Sequence, residues 1–166
     1  MRAETMKVRT SLLFLGLLIC CASCDKNGVF DEYKSVGNAW HKDSIVHFNL
    51  PKLEADKKYN LFLNIRDNKD YPFDNLFVIV SLEQPNRKVL VDTLEYKMAH
   101  PDGSLMGDGF SDVKENKLFY KEKFTFDQKG NYKVHIQHAL RETGKVPGVE
   151  RLNGITEVGF RIETTE

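Results

Sequence analysis

One side chain in this sequence sits where a covalent attachment is chemically expected. Cys24 follows Ala22-Ser23, and the preceding Leu12-Leu13-Phe14-Leu15-Gly16-Leu17-Leu18-Ile19 forms a short apolar run behind Lys7 and Arg9. A cationic start, a brief apolar stretch and small residues before a cut site make a secretory signal. Ending in small-small-Cys, it fits a lipobox, in which the thiol takes up diacylglycerol as a thioether and the chain is then cut before the cysteine. Small residues are needed there because the cut site must enter a narrow slot at the membrane surface. Cys21 stands where leucine is usual, and the competing reading is an ordinary export signal with a chance cysteine. A transmembrane helix takes roughly 20 apolar residues, so export, not a transmembrane anchor, is the better reading. The expected product is a domain held on a membrane by acyl chains on Cys24, its precursor opening at Met1 or at the more compact Met6.

Other reactive arrangements are scarce. Cys20 and Cys21 leave with the signal, so the mature chain has no nucleophilic thiol and no disulfide. No G-x-S-x-G elbow and no H-E-x-x-H helix is present. The run Asp102-Gly103-Ser104-Leu105-Met106-Gly107-Asp108 has the flavour of a calcium loop, but Ser104 and Met106 break the alternation of oxygen ligands. It reads as a turn built on Asp and Gly. His135 and His138, three apart, point to opposite faces of a strand, and His138 is expected as a buried or half-buried imidazole at a strand end rather than a ligand. His41 and His47 share a face only if their strand starts early, and no carboxylate is spaced in sequence to support them. No catalytic, cofactor-binding or metal-ligating set is therefore expected. Tyr71, Phe73, Phe110, Phe119 and Tyr120 fall near turns or strand ends, where a ring could stack on a sugar or anchor a protein contact. With 11 Phe and 6 Tyr in the chain, most rings belong to the core.

The elements that would carry these groups are strands. Tyr59, Leu61, Leu63 and Ile65 alternate with polar neighbours, as a half-buried strand requires. Leu76-Phe77-Val78-Ile79-Val80 is continuously apolar, which predicts a strand covered on both faces. Further strands are expected at 45–50, 88–96, 117–126, 132–138 and 156–162, with Glu122 an anomaly on an apolar face that suggests a bulge or an edge. No helical stripe is sustained, so residues 38–166 are expected to form an all-β, antiparallel β-sandwich of about seven strands. Residues 1–23 are the expected lipoprotein signal peptide. Residues 24–37, mixed and polar, are expected to form a lipidated N-terminus and tether reaching some 40 Å at full extension. The chain has 24 basic and 24 acidic residues. Loss of Arg2, Glu4, Lys7 and Arg9 leaves 21 against 23, a net of −2. No basic stripe suits nucleic acid and no polybasic segment suits anionic lipid.

Several segments together resemble one family. Tyr59-Asn60-Leu61-Phe62-Leu63-Asn64-Ile65-Arg66, Tyr71-Pro72 and Asn75-Leu76-Phe77 are similar to the first half of the GldH gliding-motility lipoproteins of Bacteroidetes. Asp92-Thr93-Leu94-Glu95-Tyr96, the run from Gly107 to Glu115, and Val158-Gly159-Phe160-Arg161-Ile162-Glu163 resemble the second half. The resemblance implies a non-enzymatic envelope lipoprotein, anchored through Cys24, that serves surface gliding and the overlapping type IX secretion machinery. Its partners would be the membrane and other envelope proteins of that machinery, with the outer membrane favoured over the inner. The alternative is an envelope lipoprotein that binds glycan or peptidoglycan, in which Phe110 or Tyr71 touches sugar. Asp43-Ser44-Ile45 and Asp92-Thr93-Leu94 also resemble the O-glycosylation acceptor of that phylum, a pattern short enough to arise by chance.

Overall fold

The structure, a computed structural model, describes residues 26–109 and 112–165. Cys24 and the expected signal lie outside these residues. Ten strands are named in the described chain: β1 (Gly28–Ser35), β2 (Ala39–His41), β3 (Val46–Asn49), β4 (Lys58–Asn68), β5 (Asn75–Glu83), β6 (Val89–Lys97), β7 (Val113–Thr125), β8 (Lys133–His138), β9 (Arg151–Asn153) and β10 (Ile155–Thr164). One sheet runs β1-β10-β4-β7, the other β3-β8-β5-β6, and β2 with β9 makes a two-stranded ribbon. Every pairing is antiparallel. The expected all-β sandwich is the fold.

Period-two patterning builds the core. Leu61, Leu63 and Ile65 of β4, Leu76, Val78 and Val80 of β5, Val134 and Ile136 of β8, and Val158, Phe160 and Ile162 of β10 are all fully buried in one cluster between the sheets. Each such side chain contributes about 1.5–3 kcal/mol by leaving water. The two sheets are also laced along one side. Tyr120 of β7 donates its hydroxyl to Asp92 of β6 at 2.7 Å, and Tyr96 of β6 donates to the Phe119 carbonyl at 2.8 Å.

Three expectations change. Residues 28–35, read from their composition as tether, form β1 and pair with β10 from Gly28 opposite Glu163 to Ser35 opposite Glu157. β1 is an edge strand, and charges on an edge discourage pairing with other chains. Asp31, Glu32 and Lys34 thus hide the apolar alternation that would announce a strand. The apolar run of β5 is covered on one face only: Phe77 and Ile79 point outward and are half-buried, because no third layer covers that face among the described residues. Short β2 and β9 were not expected, since three residues are too few to show a period. They are pinned by Trp40 and Leu152, both fully buried, with Trp40 Nε1 donating to the Ser44 carbonyl at 2.8 Å. The Glu122 anomaly resolves as both alternatives at once. β7 is an edge strand whose pairing with β4 slips twice around Leu61, and Lys123 there takes a positive φ of 50° while its N–H donates to Asn60 Oδ1.

Gly154 makes the turn from β9 to β10 at φ +83°, and a Cβ there would lie 2.2 Å from the Tyr71 backbone nitrogen. Left-handed backbone already disfavours any side chain, and the contact leaves no space for one. Gly154→Ala should cost about 2 kcal/mol or more and lower Tm by roughly 4–8 °C in a domain of this size. Calorimetry showing an unchanged Tm would contradict this packing.

Candidate functional site

Register places the densest polar array of the described chain on the outer face of the β1-β10-β4-β7 sheet. Outward residues line up in rows across four strands: Ser35, Glu157, Arg66 and Glu115; then Tyr33, Gly159, Asn64 and Lys117; then Asp31, Arg161, Phe62 and Phe119. The middle row depends on its glycine. A Cβ on Gly159 would meet Tyr33 Cδ1 at 2.9 Å and Asn64 Cβ at 3.1 Å, so the bare backbone lets the Tyr33 ring lie across β10. The Tyr33 hydroxyl donates to Glu115 Oε1 at 2.8 Å and accepts from Asn64 Nδ2 at 2.9 Å, and the Arg66 guanidinium stacks 4.2 Å over its ring.

Charges in the flanking rows are neutralised locally. Arg66 donates to Glu115 at 2.9 Å and to Glu157 at 2.6 Å, while Arg161 bridges Asp31 and Glu163, each at 2.6 Å. Lys117 reaches Glu163 at 2.6 Å and lies over the Phe62 ring at 4.2 Å, and that ring meets Phe119 edge to face. Burial and then the bond to Glu115 raise the Tyr33 phenol far above its ordinary value. Burial also pushes the Glu115 carboxyl up, but bonds from Tyr33 and Arg66 outweigh it and hold it below its ordinary value. Arg66 thus engages both Glu115 and Glu157, and their charges are compensated within the array. A groove of about 580 Å³ opens beside it, lined by Asn38, Arg66, Asp108, Glu115, Thr156 and Glu157 among others.

Two buried titratable groups lie beneath these surfaces. His138 ends β8 with 4 % of its surface exposed, as expected, edge-on to Trp40 at 5.3 Å, and burial lowers its pKa to about 4. Asp67 is fully buried. It accepts from Asn116 Nδ2 at 2.8 Å through Oδ1, while Oδ2 has no partner among the described residues. Burial raises its pKa to about 7, against the opposing effect of its hydrogen bonds.

The residues singled out in sequence are dispersed. Tyr71 is 5 % exposed, its hydroxyl donating to the Asn75 carbonyl at 2.6 Å and its ring against Phe73, so it cannot stack on a sugar. Tyr120 is buried and bound to Asp92, Phe119 keeps an exposed ring, and Phe110 lies outside the described residues. Asp102 accepts from the Ser104 N–H and hydroxyl, the expected turn chemistry. His135 and His138 do face opposite ways. His135 instead meets His47 directly across the β3–β8 ladder, with Glu83 at 3.4 Å. His41 has the carboxylates that sequence spacing did not reveal, Asp43 at 3.6 Å and Glu150 at 3.4 Å, because the β2–β9 pairing brings distant Glu150 alongside. The outer polar array was missed altogether, since pairings between strands far apart in sequence assemble it.

A family model described as GldH lipoprotein matches residues 28–162, from the first residue of β1 into β10. The chain belongs to the GldH lipoprotein family. Among its relatives in that family, the "Gliding motility lipoprotein GldH" of Flavobacterium johnsoniae is 63 % identical over 158 residues, covering 95 % of this chain and 98 % of the relative. The "Gliding motility lipoprotein GldH homolog" of Christiangramia forsetii is 51 % identical over 154 residues, 93 % of this chain and 94 % of the relative. Among solved structures, a 4-O-methyl-alpha-glucuronidase with specificity for decorated arabinogalactans is 13 % identical over 87 % of this chain and 18 % of its own, with a TM-score of 0.45. That likeness is too slight to bear on function. The GldH match includes β1, in keeping with its place in the sheet rather than in a tether.

Asp67 gives this GldH domain a pH dependence of definite sign. Its carboxyl titrates near 7 when folded and near its ordinary 3.8 when exposed, so between those values the folded state holds a proton that the unfolded chain releases. Asp67 therefore costs stability as pH rises through that window. Asp67→Asn keeps the acceptor for Asn116 and removes the cost. The variant should melt close to the parent at pH 4 and several degrees above it at pH 8, and an equal offset at both pH values would show that the carboxyl is not buried as described.

Proposed function

We propose that this chain is an envelope lipoprotein, held on a membrane by acyl chains on Cys24, that acts as an accessory component of gliding motility and its associated secretion machinery. The observation that carries this reading is kinship across nearly the whole chain with two proteins named for gliding motility, at 63 % and 51 % identity. With 95 % of the chain aligned to the first, the alignment extends into the first 25 residues and is not confined to the described domain. Two or more acyl chains give stable membrane attachment, at about 0.8 kcal/mol per buried CH₂. Confinement to one surface then raises the effective concentration of the domain for partners on that surface.

On this reading the domain works by contact and not by catalysis. The groove, lined by Asn38, Asp108 and Thr156 among others, offers hydrogen-bonding groups beside a sheet face fixed by the Arg66 ion pairs, which suits recognition of an envelope protein. The glycan-binding alternative is weakened by the burial of Tyr71.

Cys24→Ala should leave the fold unchanged, release the protein from the membrane fraction and abolish gliding in a host that glides. Fractionation and spreading assays of the variant at native expression decide this. Wild-type spreading by a variant found only in the soluble fraction would overturn the role of the anchor.

A further inference from the structure

No run of basic residues in the sequence suits a charged lipid surface, yet the fold gathers such residues from separate loops to one end of the sandwich. That end is marked by the start of β1. The Thr164 N–H donates to the Asn27 carbonyl and the Thr165 N–H to the Lys58 carbonyl, so the entry of the domain lies beside the start of β4. Leu50 N–H donates to the Tyr132 carbonyl, and Leu53 and Ala55 share a cleft with Gln128 and Lys129, which places loop 50–57 against loop 126–132. A Cβ on Gly130 would lie 2.7 Å from Pro85 Cβ, which adds loop 84–88 to the same end.

The charges at this end do not cancel. Glu54 is taken up by Lys57 at 2.6 Å, and Glu83 faces His135 at 3.4 Å. Lys26, Lys52, Lys58, Arg87, Lys88 and Lys129 are all exposed, and none is in an ion pair among the described residues. Asp56 and Asp127 in these loops and Glu83 at the end of β5, whose partner His135 is counted neutral, oppose them, and with Asp25 and Glu166, outside the described residues, the balance stays positive by one charge. The loops at the opposite end carry Asp70, Asp74, Asp102, Asp108 and Asp112 in compensation.

Position supplies the occupant. Four Cα–Cα steps separate Cys24 from Gly28, so full extension spans only about 13–14 Å. We infer that this basic end is a docking surface for the anionic headgroups of the same membrane that holds the lipid of Cys24. The inference rests on the lipid anchor proposed above. Cationic side chains within a Debye length of such a surface are attracted to it in a salt-dependent way, and clusters of four to eight are typical of sequences that bind acidic lipid. Two signals, acyl chains and a basic surface, would fix the orientation as well as the location of the domain. The groove lined by Asn38, Asp108 and Glu157 then faces away from the membrane, where partners can reach it.

Amide hydrogen exchange on the full chain, purified with its lipid and reconstituted in vesicles, tests the inference. The vesicles are pure phosphatidylcholine or phosphatidylcholine with about one-third phosphatidylglycerol, enough to set the negative surface potential. Exchange in loops 50–57, 84–88 and 126–132 should slow several-fold on the anionic vesicles alone and recover at high salt. A variant with Lys52→Gln, Lys58→Gln, Lys88→Gln and Lys129→Gln should lose the protection while the core strands exchange as before. Equal exchange on both vesicles by a chain whose mass confirms the lipid overturns the inference, as does protection of loops 98–109 or 141–150, and leaves the basic end for an acidic protein. A mass lacking the acyl chains overturns the anchor and this docking surface together.

Discussion

The pairing of β1 with β10 governs both where the domain sits and what it presents. Gly28 opposite Glu163 brings the start of the folded chain to one end of the sandwich, a few residues after Cys24. The same ladder sets Tyr33 opposite Gly159, which lets its ring cross the sheet toward Asn64 and Glu115. Pairing slipped by one residue would turn Tyr33 toward the core and Phe30 away from it, since side chains alternate faces along a strand. The place where the folded chain begins and the outer polar face are thus consequences of one register.

The connections between the other strands set the division between the two ends. The end at Gly28 collects basic loops, and the far end carries the groove with Asp108 and Glu157 on its wall. Between them, the core contributes a rigid spacer of fully buried aliphatic residues closed at one side by the Tyr120–Asp92 and Tyr96–Phe119 bonds. A lipoprotein built this way can hold a recognition surface at a set height and angle. For a member of the GldH family, that geometry gives accessory function a physical content beyond membrane attachment.

Much of the fold was legible in the sequence, for a specific reason. β4, β5, β8 and β10 each bury one face, and burial of one face forces a period of two that survives in the residue types. β1 was not legible, because an edge strand with Asp31, Glu32 and Lys34 is patterned by charge and not by burial. β2 and β9 were too short to show any period. Cys24 could be singled out in sequence because a lipobox, the basis of the proposed anchor, is a pattern of a few contiguous residues. The polar rows and the basic end could not be, because Arg66 and Glu157, or Lys52 and Lys129, become neighbours only when distant strands and loops meet. His41 illustrates the same limit on a small scale, with Glu150 brought beside it by β9.

On the proposed anchor, the domain stands directly on the membrane, oriented by a short lipid-linked segment and a basic end. Neutron reflectometry of the full lipidated chain on a supported bilayer containing anionic lipid measures the gap between headgroups and protein. Protein density beginning within about 14 Å of the headgroups, the reach of four extended residues, is the predicted result. A hydrated layer of about 40 Å, the reach of a free tether running to Gly37, would contradict it.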